Sequence, residues 1–143
     1  METTRRRLVG AELENRACLF QMGHEYLAQQ VHEPVKAVVF NLGWLPGGDH
    51  RVTTRTETTL AAAEQALSLL QELGVLVMCV YPGHQEGASE RQALTAFFAA
   101  LPPQRYNVLQ HTFLNAGEAA PLCIVAQKQR GTPDREKAGA DHA

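Results

Sequence analysis

One stretch constrains this chain more than any other: Lys36 to Asp49, which reads Lys-Ala-Val-Val-Phe-Asn-Leu-Gly-Trp-Leu-Pro-Gly-Gly-Asp. Ala37 to Phe40 is a short apolar run of strand formers, bounded by Pro34 before and Gly43 after, and reads as a strand buried on both faces. Asn41 then stands at its carboxyl end. In open α/β sheets ligands bind along that edge, because the loops leaving it are free of packing duties and can carry polar groups. The Gly/Pro loop after Asn41 is therefore the first place to look for chemistry.

The rest of the chain alternates around this strand. Residues 3–15 read as a short exposed helix ending near Gly10. Arg16 to Gln21, with Ala17, Cys18, Leu19 and Phe20 at its centre, reads as a short buried strand. Met22-Gly23-His24-Glu25 leaves its carboxyl end, and a short helical segment through Tyr26 and Leu27 leads to Pro34. Past the loop, Thr54 and Glu57 have capping-box spacing, so a long helix is expected there. Its apolar face is Leu60, Ala63, Leu67 and Leu70, joined by Ala66, Leu69 and Leu73, and Gly74 is expected to close it. Val75 to Tyr81 is apolar throughout, as a central parallel strand should be. A polar loop, Pro82 to Gly87, precedes a helix expected from Ser89 to Ala100. Ser89 and Gln92 suggest its cap, Leu94, Phe97, Phe98 and Leu101 its buried face, and Pro102-Pro103 its end. Tyr106–Asn115 and Pro121–Lys128 are expected to pair as an antiparallel hairpin at a sheet edge. Residues 1–128 thus form one domain, and the charged, non-periodic stretch 129–143 is expected to be a disordered tail.

Composition narrows the function classes. A chain of 143 residues, 45% hydrophobic and 20% charged, has the balance of a single globular domain. Its formal charge of −2 provides no overall basic field. Contact with nucleic acid would have to come from local clusters, such as Arg5-Arg6-Arg7 or Arg51 with Arg55, and such a run can equally be a solvated face. Cys18, Cys79 and Cys123 lie far apart inside apolar runs. They read as small buried hydrophobes in a reducing compartment, with no disulfide frame and no metal site expected. No apolar run approaches the ~20 residues that span a bilayer, and no signal-peptide core is present. The cytoplasm, or an organelle matrix after import, is the expected location.

Strand, helix, strand, helix, strand, helix and closing hairpin predict an α/β fold: a three-layer, mostly parallel sheet like that of class I methyltransferases, with a C-terminal antiparallel hairpin. More specific residues strengthen the likeness. Phe40-Asn41-Leu42-Gly43-Trp44-Leu45-Pro46-Gly47-Gly48-Asp49, Thr53-Thr54, Glu57-Thr58-Thr59, Tyr81-Pro82-Gly83-His84-Gln85-Glu86-Gly87 with Glu90, and Phe113-Leu114-Asn115 with Pro121 resemble the putative rRNA methylase family of YtqB/MnmM-like enzymes. The resemblance runs from about Thr3 to Lys128. It implies S-adenosyl-L-methionine as cofactor and tRNA as partner, the reaction being N-methylation of 5-aminomethyl(-2-thio)uridine at the wobble position. Members of the family begin with a strand, a Gly-rich turn, a helix and a second strand ending in a ribose-binding acid. Only about fifteen residues precede the Arg16–Gln21 strand, fewer than the roughly 30 of a βαβ unit. The chain is therefore expected to be an N-terminally truncated form lacking the Gly-rich turn and the acid. Its bared strands would then either pair directly with one another or leave an edge open to a homodimer partner.

The resemblance also distributes roles. Gly23 and His24 match the place where the family's chain passes the adenine of the cofactor, and Asn41 and Leu42 are placed against the cofactor with them. Asn41 is the candidate that accepts from the target amine and orients its lone pair, and it can equally be a strand cap. Asp49 is suited to take a proton or bind a cationic aminomethyl group, or to serve as a plain turn residue. His84 carries an imidazole, a group suited to proton transfer near neutral pH, and completes the catalytic set. Trp44 suits either a flipped base or the core. Arg51 and Arg55 are candidate phosphate contacts, and Tyr81 closes the opposite wall. Two functions follow: an RNA methyltransferase, or a non-catalytic form that keeps only RNA-binding or dimerisation capacity.

Overall fold

The computed structural model describes residues 1–43, 54–82 and 85–131. Its elements are α1 (Glu2–Gly10), β1 (Val35–Asn41), α2 (Thr56–Leu69), β2 (Leu70–Val80), α3 (Gln85–Ala99), β3 (Tyr106–His111) and β4 (Leu122–Lys128). Two 3-10 segments, Glu14–Arg16 and His24–Gln29, lie between α1 and β1. The four strands form one sheet in the order β1-β2-β4-β3. β1 runs parallel to β2, while β4 runs antiparallel to both β2 and β3. β1, β2 and β3 therefore share one direction and only β4 opposes it. The expected C-terminal hairpin is present, with β4 inserted between β2 and the edge strand β3.

Side-chain alternation decides which face is covered. On β2, Leu76, Met78 and Val80 are buried while Val77 and Cys79 between them are only half-buried. On β4, Leu122, Ile124 and Ala126 are buried and Cys123 and Val125 are not. The buried set packs under α2 and α3. The first contributes Ala62, Ala63, Ala66 and Leu67, the second Leu94 and Phe98. Three small alanines on α2 let its backbone come close to the sheet, and the larger Phe98, Leu94 and Tyr106 fill the space farther along. On the far face Val39 is 69% exposed, and α1 buries none of its residues.

Several expectations need correction. The Arg16–Gln21 segment is not a strand: it follows a 3-10 turn and is largely exposed, Cys18 and Phe20 included. A strand needs a ladder partner, and among the described residues this segment pairs with none, so β1 is the outermost strand there. Of the two arrangements anticipated for the bared strands, the open edge is the one adopted. Cys18 is thus no buried hydrophobe. α2 stops at Leu69, not at Gly74, and the chain turns at once into β2. The residue with left-handed backbone is Leu73, at φ 62°. Gly74 serves packing instead, since a Cβ there would stand 2.9 Å from the Gln71 carbonyl oxygen and 3.1 Å from that of Lys36. Lys128 Nζ and Gln127 Nε2 reach across from β4 to donate to the carbonyls of Leu70 and Leu73 in this irregular stretch. α3 starts at Gln85, a turn before the expected Ser89. The tail expected from Gln129 falls, beyond Gly131, outside the described residues.

Candidate active site at the carboxyl edge of the sheet

Because β1 and β2 are parallel, their carboxyl ends emerge side by side. Asn41 is the register partner of Cys79, and the Leu42 N–H donates to the Cys79 carbonyl at 3.0 Å. Phe40 is buried toward the helices, so alternation turns Asn41 to the opposite face, where it is exposed. Leu42 is buried in the core and its N–H is spent on β2. Gly43 then takes φ +102°, and a Cβ there would lie 3.8 Å from Tyr81 Cβ. That left-handed turn suits glycine. It sets Gly43 against Tyr81, the first residue past β2, whose side chain is exposed.

A buried carboxylate organises this edge. Glu90, on α3, is 2% exposed. The Thr59 hydroxyl donates to its Oε1 at 2.6 Å and the Thr54 hydroxyl to its Oε2 at 3.0 Å. Thr54 Oγ1 in turn accepts the Gly43 N–H at 3.1 Å. One carboxylate therefore ties together the exit of β1, the entry of α2 and the first half of α3. Thr54 consequently does not cap α2: the cap position is Arg55, without a side-chain bond, and Thr58 Oγ1 donates to the Arg55 carbonyl. Arg55 itself is exposed.

The other flank is built by the segment before β1. The His24 ring meets Phe40 edge-on, with centroids 5.7 Å apart at 83°. The Glu25 carboxylate folds over the α-carbon of Gly23. Gln65 of α2 clamps this turn, donating from Nε2 to the Glu25 carbonyl at 2.6 Å and accepting the Ala28 N–H at 2.8 Å. Gly23, His24, Asn41, Leu42, Tyr81 and Arg55 are thus gathered around the ends of β1 and β2, with Asn41 on one face of β1 and His24 on the other. Trp44, Asp49, Arg51 and His84 lie outside the described residues. Beside Pro82 a cleft of about 640 Å³ opens between α3 and the β3–β4 loop, lined by Arg91, Thr95, Gln110 and Glu118. That loop exposes Phe113 and, fully, Leu114 to solvent. Among the described residues no helix is long and apolar enough to cross a membrane.

Sequence reasoning missed Glu90 as a site organiser and Gln65 as a clamp. Glu90 did leave a signal, since it continues the Leu94–Phe98 stripe at four-residue spacing, a carboxylate on a face otherwise apolar. Gln65 left none.

A parallel pair continued by an inserted antiparallel strand, with a polar carboxyl edge, defines a methyltransferase-like, Rossmann-like sheet. The chain belongs to the Putative rRNA methylase family, whose model matches residues 1–127. A relative, the chloroplastic tRNA (mnm(5)s(2)U34)-methyltransferase of Arabidopsis thaliana, is 32% identical over 123 residues, covering 85% of this chain and 45% of that protein. This chain thus spans less than half that relative's length. Similar solved structures include a putative rRNA-methylase of Clostridium thermocellum, 33% identical with TM-score 0.84, over 87% of this chain and 67% of that one. A putative methyltransferase of Streptococcus mutans in complex with SAH is 31% identical with TM-score 0.79, over 87% and 68%.

Proposed function

We propose that the protein is an S-adenosyl-L-methionine-dependent RNA methyltransferase acting on the amino group of 5-aminomethyl(-2-thio)uridine at the tRNA wobble position. The observation that carries this reading is the exposed Asn41 at the carboxyl end of β1, two residues before Gly43, which lies against Tyr81 and is tied through Thr54 to Glu90. An amide oxygen in this place accepts one N–H of an amine, leaving the nitrogen lone pair free to point away from the protein. Asp49 and His84, from the loops after β1 and β2, are the proposed groups that bind the cationic amine and take its proton. The cofactor, when bound, supplies the methyl group. The residues at this edge fit its adenine flank: the half-buried His24 provides an edge, and the Glu25 carboxylate, folded over Gly23, offers an acceptor suited to an exocyclic amine. Trp44, Arg51, Arg55 and Tyr81 are the proposed contacts to the RNA, together with the cleft at Arg91. One relative, the chloroplastic tRNA (mnm(5)s(2)U34)-methyltransferase, supports this substrate class and an organelle matrix as one location, the cytoplasm being the other.

The open edge of β1 favours a second reading, in which the chain binds RNA or a second copy of itself without transferring methyl groups. Calorimetric titration with S-adenosyl-L-methionine separates the two. Micromolar binding, followed by a 14-dalton gain on an aminomethyl-uridine tRNA with about 100-fold loss of rate in Asn41→Ala, is expected of the enzyme. Absence of cofactor binding together with retained tRNA binding would sink the enzymatic reading in favour of the second.

A further inference from the structure

The end of the sheet that carries Asn41 holds a second chemistry. Read across the strands, Asn41 on β1, Cys79 on β2, Cys123 on β4 and His111 on β3 are successive register partners. They form one row on the face turned away from α2 and α3. The Cys79 carbonyl accepts the Leu42 N–H of β1, so the backbone polar groups of Cys79 point away from β4. In an antiparallel ladder a residue either exchanges both backbone bonds with its opposite or neither. Cys79 and Cys123 are therefore a non-hydrogen-bonded pair, the kind whose α-carbons approach to about 4.5 Å with side chains closest. That separation lies within the range of about 4.4 to 6.8 Å that a disulfide bridges. Both thiols are free, half-buried and in side-chain contact with each other. Among the described residues no group of three or more His, Cys, Asp or Glu is placed to hold a metal.

We propose that Cys79 and Cys123 are a thiol–disulfide exchange site, closing to a cross-strand disulfide when the chain meets a small-molecule disulfide oxidant. The Cys79 thiolate attacks one sulfur of the oxidant. The oxidant's S–S bond breaks, one thiolate leaves, and a mixed disulfide remains on Cys79. Cys123 then gives its proton to solvent and attacks the Cys79 sulfur, releasing the second small thiol. The two protein thiols lose two electrons and the oxidant gains them. Burial, and then the neighbouring Cys79, push the Cys123 thiol above its ordinary value. Cys123 thus holds its proton and serves as the resolving partner. Cys18, exposed before β1 and far along the chain from the pair, has no partner in this row.

The full chain, reduced and then equilibrated with oxidised glutathione, is alkylated under denaturing conditions and weighed. The expected product carries one alkyl group, on Cys18 or replaced there by glutathione, and is 2 daltons lighter at the remaining pair. Digestion without reductant should give a single cross-linked peptide joining Cys79 to Cys123. Cys18→Ser should leave that cross-link intact, and reductant should reverse it. Alkylation of both Cys79 and Cys123, stable glutathione adducts on either without a cross-link, or a bridge involving Cys18 would overturn the assignment. Because the decisive measurement is made on the unmutated chain, it does not depend on a variant folding.

Discussion

At the scale of single residues, Glu90 makes the strongest demand. A buried carboxylate survives only where hydrogen bonds replace its hydration, and here two threonine hydroxyls do so at 2.6 and 3.0 Å. Glu90→Ala leaves Thr54 and Thr59 without their acceptor and should cost about 3 kcal/mol in urea unfolding. Glu90→Gln keeps an acceptor and should lose less. A loss under about 1 kcal/mol for the alanine variant would mean the network is dispensable. Leu73 is the opposite case. Its φ of 62° is strained for leucine, and its side chain is exposed, so Leu73→Asn should stabilise the chain by about 0.5 to 1 kcal/mol. An unchanged denaturation midpoint would refute that. These two positions also mark where the sequence was readable. Glu90 sat visibly on an apolar stripe. Gly74, however, drew attention from Leu73, because glycine is the usual left-handed residue after a helix and only the packing of β1 against it reveals its steric role. Asn41 was legible because an apolar run stopping at a polar residue fixes a strand end, whatever the neighbours do.

At the scale of elements, the segments with a continuous apolar run or internal periodicity were the legible ones. β1 and β2 follow from apolar runs, α2 and α3 from helical spacing and the hairpin from alternation; their ends were misjudged, and β1, read as buried on both faces, instead exposes Val39 on the face the helices leave bare. Thr54–Glu57 and Ser89–Gln92 have capping-box spacing, yet Thr54 turns instead to Glu90 and α3 begins a turn before Ser89. A spacing rule cannot register a tertiary competitor for the same hydroxyl. The Arg16–Gln21 strand failed for a related reason: its composition suits a strand, but a strand is defined by its partner. The turn His24–Gln29 shows the same dependence, being fastened to α2 through two hydrogen bonds of Gln65. Gln65→Ala should release it. Amide exchange at Ala28 should quicken by about 10-fold, corresponding to roughly 1.4 kcal/mol for the two bonds lost, while amides in β2 keep their protection. Equal quickening throughout would show global destabilisation instead of a local clamp.

At the scale of the whole molecule, among the described residues the helices cover one face of the sheet only. Val39 on β1, Val77 on β2 and Val125 on β4 belong to the other face, and no described strand pairs with the outer edge of β1 beside them. An open apolar edge of this kind is a template for another chain. The physical expectation is a protein that associates with itself as concentration rises and unfolds at a modest midpoint. Val39→Lys tests it with little disturbance, since Val39 is exposed and packs against no helix, while a lysine on an edge strand opposes edge-to-edge pairing by charge. Sedimentation of the wild-type chain should show a concentration-dependent dimer, and Val39→Lys should weaken that dimer by at least about 10-fold, or 1.4 kcal/mol, with circular dichroism unchanged. A wild-type chain that stays monomeric at high concentration, and melts in one two-state step above about 65 °C, would show that the bare face and edge are no liability.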